Sequence, residues 1–186
     1  MKNKSSLLTP FLNWSDNSRK FLKIFQILYY YVPAVGIPVY GIVAIVRSFN
    51  YFAIFTTIGL TLFIILASFF SFNILWSRAK ELIVSSEKNK FFIVPAISHY
   101  IKTQGEVIFA IFLSSTIFFL FLQLDQFLGN YPYFFFEEIE ATRFLSGAPI
   151  FGIILLPLYG YFIMLVSKLI SELFSAVVEI ANNTSK

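Results

Sequence analysis

The chain has no cysteine, a single histidine (His99) and few charged residues, 13% of the total. The missing thiols exclude disulfides, thiolate nucleophiles and cysteine-ligated metal or iron–sulfur centres. One histidine cannot build a multi-histidine metal site, and the carboxylates are too scattered to take its place. Neither a metal nor another cofactor is expected. The charged fraction is about half of the quarter usual in soluble chains, in a sequence that is 58% hydrophobic with a mean hydropathy of +0.76. The 25 phenylalanines among 186 residues exceed what a core of this size can enclose. Lipid must cover the rest, so the protein belongs in a membrane.

Catalytic signatures are missing as well. There is no Gly-x-Ser-x-Gly, no His-Glu-x-x-His, no P-loop and no Gly-x-Gly-x-x-Gly, and an enzyme is not the expectation. His99 beside Ser98 or Glu106 supplies parts of an acid–base pair. No nucleophile and oxyanion site accompany it at workable spacing, so it reads as an interfacial polar residue. No ionisable residue sits deep in an apolar window, which argues against a proton relay or ion-coupled pump. Asp125, with Gln123 and Gln126, falls near the end of its window, where snorkelling into water is easy. No stretch carries a signature specific enough to name a family.

What is present is a membrane thread. A crossing helix needs roughly 20 apolar residues, and four windows qualify, at about 24–46, 52–76, 107–127 and 148–167. Twelve of the 14 basic residues lie in the N-terminal segment (1–23), the middle segment (77–106) or the tail (168–186), and the outer loops (47–51 and 128–147) hold Arg47 and Arg143. This positive-inside asymmetry puts both termini and the middle segment in the cytoplasm. It also assigns the pI of about 9.2 to topology and to anionic headgroups on that side rather than to nucleic acid. The N-terminal segment lacks the apolar core of a removable signal. The reading is an all-α, polytopic membrane protein of bacterial inner-membrane type, one domain over residues 1–186 with four transmembrane helices.

The middle segment divides in two. Residues from Arg78 continue the second helix until Ser85–Asn89. Then FFIVPAISHYIKTQGE reads as a short interfacial helix, with Pro95 near its start, Gly105 at its end and Glu106 opening the third span. In the tail, Leu169, Ile170, Leu173, Phe174, Val177, Val178 and Ala181 share one helical face, opposite Lys168, Ser171, Glu172, Ser175, Glu179 and Asn182. This is an amphipathic cytoplasmic extension of the fourth helix.

Spans one and four hold four copies of Pro-x-x-Gly: Pro33–Gly36, Pro38–Gly41, Pro149–Gly152 and Pro157–Gly160. Proline inside a helix frees the carbonyl four residues earlier, and the glycine one turn on lets another backbone approach. Helices 1 and 4 are therefore expected to be kinked, with packing positions at Pro33, Gly36, Pro38, Gly41, Gly152, Pro157 and Gly160. Paired broken helices also occur at transporter sites. Small residues in spans two and three (Thr57, Thr61, Ala67, Ser71, Ala110, Ser114, Ser115) suit close contact in a compact four-helix bundle. Phe118, Phe119 and Phe121 would face lipid or a partner. The outer carboxylates Glu137, Glu138 and Glu140 either attract cations at a pore mouth or form a solvated helix face.

The function expected from these features is association. The protein would be a non-catalytic accessory or scaffold subunit whose partners are other membrane subunits or further copies of itself, with helices 1 and 4 forming the docking groove. The alternatives are a homo-oligomeric channel or membrane-perturbing effector, and a small membrane-embedded enzyme or transporter.

Overall fold

In hydrocarbon every backbone polar group needs an internal partner, so an apolar chain of this composition folds into helices. The computed structural model describes residues 18–48, 54–86, 93–128 and 149–184, and these are helical up to a turn at Leu128. Helix α1 (Ser18–Gln26) passes through a π-turn (Ile27–Tyr31) into α2 (Val32–Ser48). Then follow α3 (Ile54–Ser86), α4 (Ile93–Phe127) and α5 (Pro149–Thr184). Four stretches are long and apolar enough to cross a membrane: Lys20–Arg47, Ile54–Leu82, Ile93–Asp125 and Gly152–Ile180.

Two elements differ from the sequence reading. The interfacial helix and the third span are one helix, α4, of 35 residues. Pro95 sits in its first turn, where a missing N–H is tolerated, and Gly105 lies within the helix instead of ending it. The reason is tertiary, because α5 packs on α4 from Ser98 to Phe119 and abuts Gly105 through Met164 and Ser167. The second difference lies before Pro33. The π-turn closes there with the Val32 N–H donating to the Ile27 carbonyl, a five-residue reach. The extra residue widens the helix just ahead of the proline ring, which would otherwise press on the Tyr29 carbonyl.

The helices pack in chain order: α1 and α2 on α3, α3 on α4, and α4 on α5. Phenylalanines of α4 fill glycine notches on both neighbours. Phe121 closes over Gly59 of α3, Phe119 over Gly152 and Phe112 over Gly160 of α5. The phenylalanines Phe118, Phe119 and Phe121, expected to face lipid or a partner in part, are half-buried and also make inter-helix contacts, with Phe118 6.5 Å from Phe63. The buried core gathers where α1, α3 and α4 converge, at the end carrying Lys20, Lys23, Lys80 and Lys102. Leu22, Tyr30, Leu75 and Leu82 meet there around Ala34, Ala79 and Ala96, all three fully buried. Alanines at that crossing let the helix axes come close, as small residues do in membrane bundles.

Candidate functional site

The π-turn decides which of three consecutive tyrosines turns inward. Tyr30 is fully buried, while Tyr29 and Tyr31 keep exposure. The Tyr30 hydroxyl meets His99 Nδ1 of α4 at 2.8 Å. With Tyr30 donating, the ring proton sits on Nε2, which faces Glu81 Oε2 of α3 at 3.7 Å, a charge contact too long for a hydrogen bond. Glu81 also accepts from Arg78 Nη1 at 2.5 Å. Arg78 makes a fork to Glu106 of α4, Nε to Oε2 at 2.8 Å and Nη2 to Oε1 at 2.7 Å. Beside this chain of groups, Gln26 Nε2 donates to the Ala79 carbonyl at 2.8 Å. Phe25 and Tyr29 pack edge-on or tilted against Tyr100 and each other, with centroids 4.6–5.9 Å apart.

Three helices are cross-tied by this network, none of which was legible as a pair in the sequence. Arg78 reads there as a topology charge and Glu106 as a helix-dipole charge; no regular spacing links them, because the helix ends on either side of their connection differ in length. His99 is brought to neither Ser98 nor Glu106. Ser98 points to the opposite side, and Glu106 is held by Arg78. The arrangement ties helices together, since the hydroxyl on the imidazole belongs to the fully buried Tyr30 and the acid facing it, Glu81, is held by Arg78.

A second polar seam joins α4 to α5. Ser98 Oγ donates to the Ser171 carbonyl at 2.7 Å and lies 2.9 Å from Ser171 Oγ, and Ser175 Oγ also donates to that carbonyl at 3.0 Å. These serines belong to the face expected to be solvated. Ser98 and Ser171 are buried together with Val178 of the apolar face, 6% exposed, Ser175 reaches the seam from an exposed position, and most of the other apolar side chains of the tail turn out. Leu169, Leu173, Val177 and Ile180 are between 60% and 68% exposed.

At the far end Asp125 does not snorkel. It is fully buried, and its Oδ2 accepts from the Thr56 N–H at 2.5 Å and from Thr56 Oγ1 at 2.6 Å. Thr56 is the third residue of α3, so a carboxylate from α4 caps one of its free amides and meets the positive end of its dipole. Asp125→Ala is expected to lower stability by about 2 kcal/mol, from the lost cap and an unpaired buried amide. Asp125→Asn, which keeps an acceptor, should recover at least half of that in thermal unfolding. An alanine variant as stable as the parent would refute the cap.

The Pro-x-x-Gly positions separate. Pro38 and Pro157 lie within α2 and α5. Gly41 abuts Ile64 and Ser68, Gly152 and Gly160 are filled by α4, and a side chain at Gly36 would meet nothing within 4 Å. Among the described residues α2 packs mainly on α3 and α5 on α4, so the two helices expected to share a groove have different main neighbours. Ser71, Ser114 and Ser115 face the interior, and Ser114 and Ser115 bond to carbonyls of their own helix. Glu137, Glu138 and Glu140 lie outside the described residues. Among the described residues no three His, Asp or Glu side chains gather to hold a metal. Four apolar helices of crossing length tied into one all-helical bundle define a multi-pass membrane protein. Comparison with protein-family models, with curated proteins and with solved structures finds no match to this chain.

Proposed function

We infer that this is a non-catalytic membrane protein that acts by association, an accessory or scaffold subunit with α5 as its contact helix. One observation carries the reading. In an 18-residue apolar stretch of α5 only 6% of the residues are buried within the chain, against 17% to 22% in the corresponding stretches of the other three spans. Its outer face is apolar from Leu155 to Ile180 without a charge in the stripe. Lipid is a sufficient cover for part of this length but not all of it.

Two polar levels support a position for the bilayer, the Arg78–Glu106 pair and the Asp125–Thr56 cap. Along α4 these are about 29 Å apart at 1.5 Å per residue, which matches a hydrocarbon core of about 30 Å. Helix α5 has 36 residues, about 54 Å of helix, and so runs on beyond the level of the ion pair. The basic side chains around that level support its being the cytoplasmic one, with both termini on that side. The inward-facing serines of α3 and α4 favour association over a pore lined by those side chains.

The test is the mass of the full chain extracted in mild detergent. The expected species is larger than the single 21.4 kDa chain with its detergent belt. Leu169→Ser with Leu173→Ser should reduce it to the single chain and leave the unfolding midpoint unchanged. A lone chain under every mild condition, with no cross-linked product in native membranes, would refute association.

A further inference from the structure

The part of α5 beyond the ion-pair level also indicates what kind of partner fits it. This inference rests on the association reading and specifies the partner. A Cβ on Gly105 would lie 2.5 Å from Ser167 Cβ, so the level of neighbouring Glu106 crosses α5 close to Ser167. Leu169, Leu173, Val177 and Ile180 follow that crossing over about 17 Å of helix, past the reach of lipid tails. The helix does not bend away to lie in the headgroups there, because Ser171, Ser175 and Val178 hold it on α4. An aqueous layer is a poor environment for four large side chains, each at least 60% exposed. Their spacing of three or four residues is that of a helix-in-groove contact.

The edge of the stripe supplies the sign of the partner. Glu172 and Glu179 are both exposed and lie seven residues, two turns, apart along one flank. The other flank is Ile170, Phe174 and Val177. Lys168 precedes Glu172 by one turn, at the headgroup level. If a second copy docked through this face, both chains would run parallel in the same membrane. Each glutamate edge would then meet the partner's Ile170–Val177 edge and bury carboxylates against apolar side chains with no cation opposite, which is unfavourable. An anionic headgroup layer repels the same edge. A helix with an apolar stripe and Lys or Arg two turns apart satisfies both the stripe and the carboxylates.

We propose that residues 169–180 form a docking site for an amphipathic helix of another protein, apolar on its contact stripe and basic along one edge. The experiment uses the full chain in nanodiscs of zwitterionic phosphatidylcholine, with empty nanodiscs as the control. The probes are two synthetic amphipathic peptides, identical except for lysines or glutamates two turns apart on the edge. The lysine peptide is expected to bind at least tenfold tighter than its glutamate twin. Glu172→Lys with Glu179→Lys should reverse that order, and Leu173→Ser with Val177→Ser should abolish binding with the unfolding midpoint unchanged. Equal binding of both peptides, or none above empty nanodiscs, would overturn the docking site. A concentration-dependent dimer abolished by Leu173→Arg would overturn it in favour of a second copy, while leaving the association reading in place.

Discussion

Gly105→Leu or Gly160→Leu is expected to drive α5 away from α4 and lower the unfolding midpoint of the detergent-solubilised chain by about 10 °C, whereas Gly36→Leu leaves it unchanged or slightly raised. The size follows from overpacking of roughly 3 kcal/mol, at a few degrees per kcal/mol for a chain of this length. At Gly105 even a Cβ would meet Met164 Cα at 3.2 Å, and at Gly160 it would meet Phe109 Cα at 3.3 Å and Phe112 Cβ at 2.9 Å. Two of these neighbours are backbone atoms, and no rotamer change can clear them. At Gly36 nothing lies within 4 Å, and exchanging glycine for leucine in a helix gains up to about 1 kcal/mol in propensity. Trp76, stacked on Phe72 with centroids 5.4 Å apart, gives a fluorescence signal for the transition. Equal destabilisation at all three sites would mean that these glycines act on the backbone of their own helices and not on the seam.

Arg78→Ala should destabilise the fold by about 3 kcal/mol, near the lower end of the cost of removing one member of a buried pair. Glu106 is only 14% exposed at its side chain, so its charge would stay largely desolvated with neither fork contact. Glu81, half exposed, recovers solvation more easily and adds little. Arg78→Lys is expected to fall between, since an ammonium cannot hold both Glu106 oxygens in the fork geometry. The exchanged pair Arg78→Glu with Glu106→Arg should regain part of the loss. A double-mutant cycle read by thermal unfolding checks this, and a coupling energy near zero would show that the pair is no more than a surface contact.

The glycine seam and the tail show how far sequence could go. Glycine one turn after proline marks close approach, and for Gly41, Gly152 and Gly160 the close neighbour exists. Sequence pointed to spans two and three for the complementary surfaces, but the neighbours are Ile64, Ser68, Phe109, Phe112 and Phe119 and not the small residues it singled out. It paired spans one and four because they share a motif, whereas in the fold each packs mainly on its neighbour in the chain. The tail is the converse case. Helical periodicity sorts its side chains onto two faces, and apolar-inward is the natural assignment. In the fold, hydroxyls of Ser98, Ser171 and Ser175 make the seam because short side chains allow α4 and α5 to approach, and the larger Leu169 and Leu173 are left outside. Asp125 likewise looked free to reach water. Its partner is an amide at the start of another helix, and backbone groups leave no trace in composition.

Composition and periodicity by themselves determined an all-helical chain with four helices long and apolar enough to cross a membrane. A bilayer imposes length, apolarity and internal hydrogen bonding on any segment that crosses it, and each of those demands is local to the segment. Which faces meet was decided only in three dimensions. Within lipid, apolarity no longer separates inside from outside. The choice passes to steric fit, as between the phenylalanines of α4 and the glycines beside them, and to single polar pairs such as Arg78–Glu106, Tyr30–His99 and Asp125–Thr56. Those depend on the relative shift and rotation of distant helices.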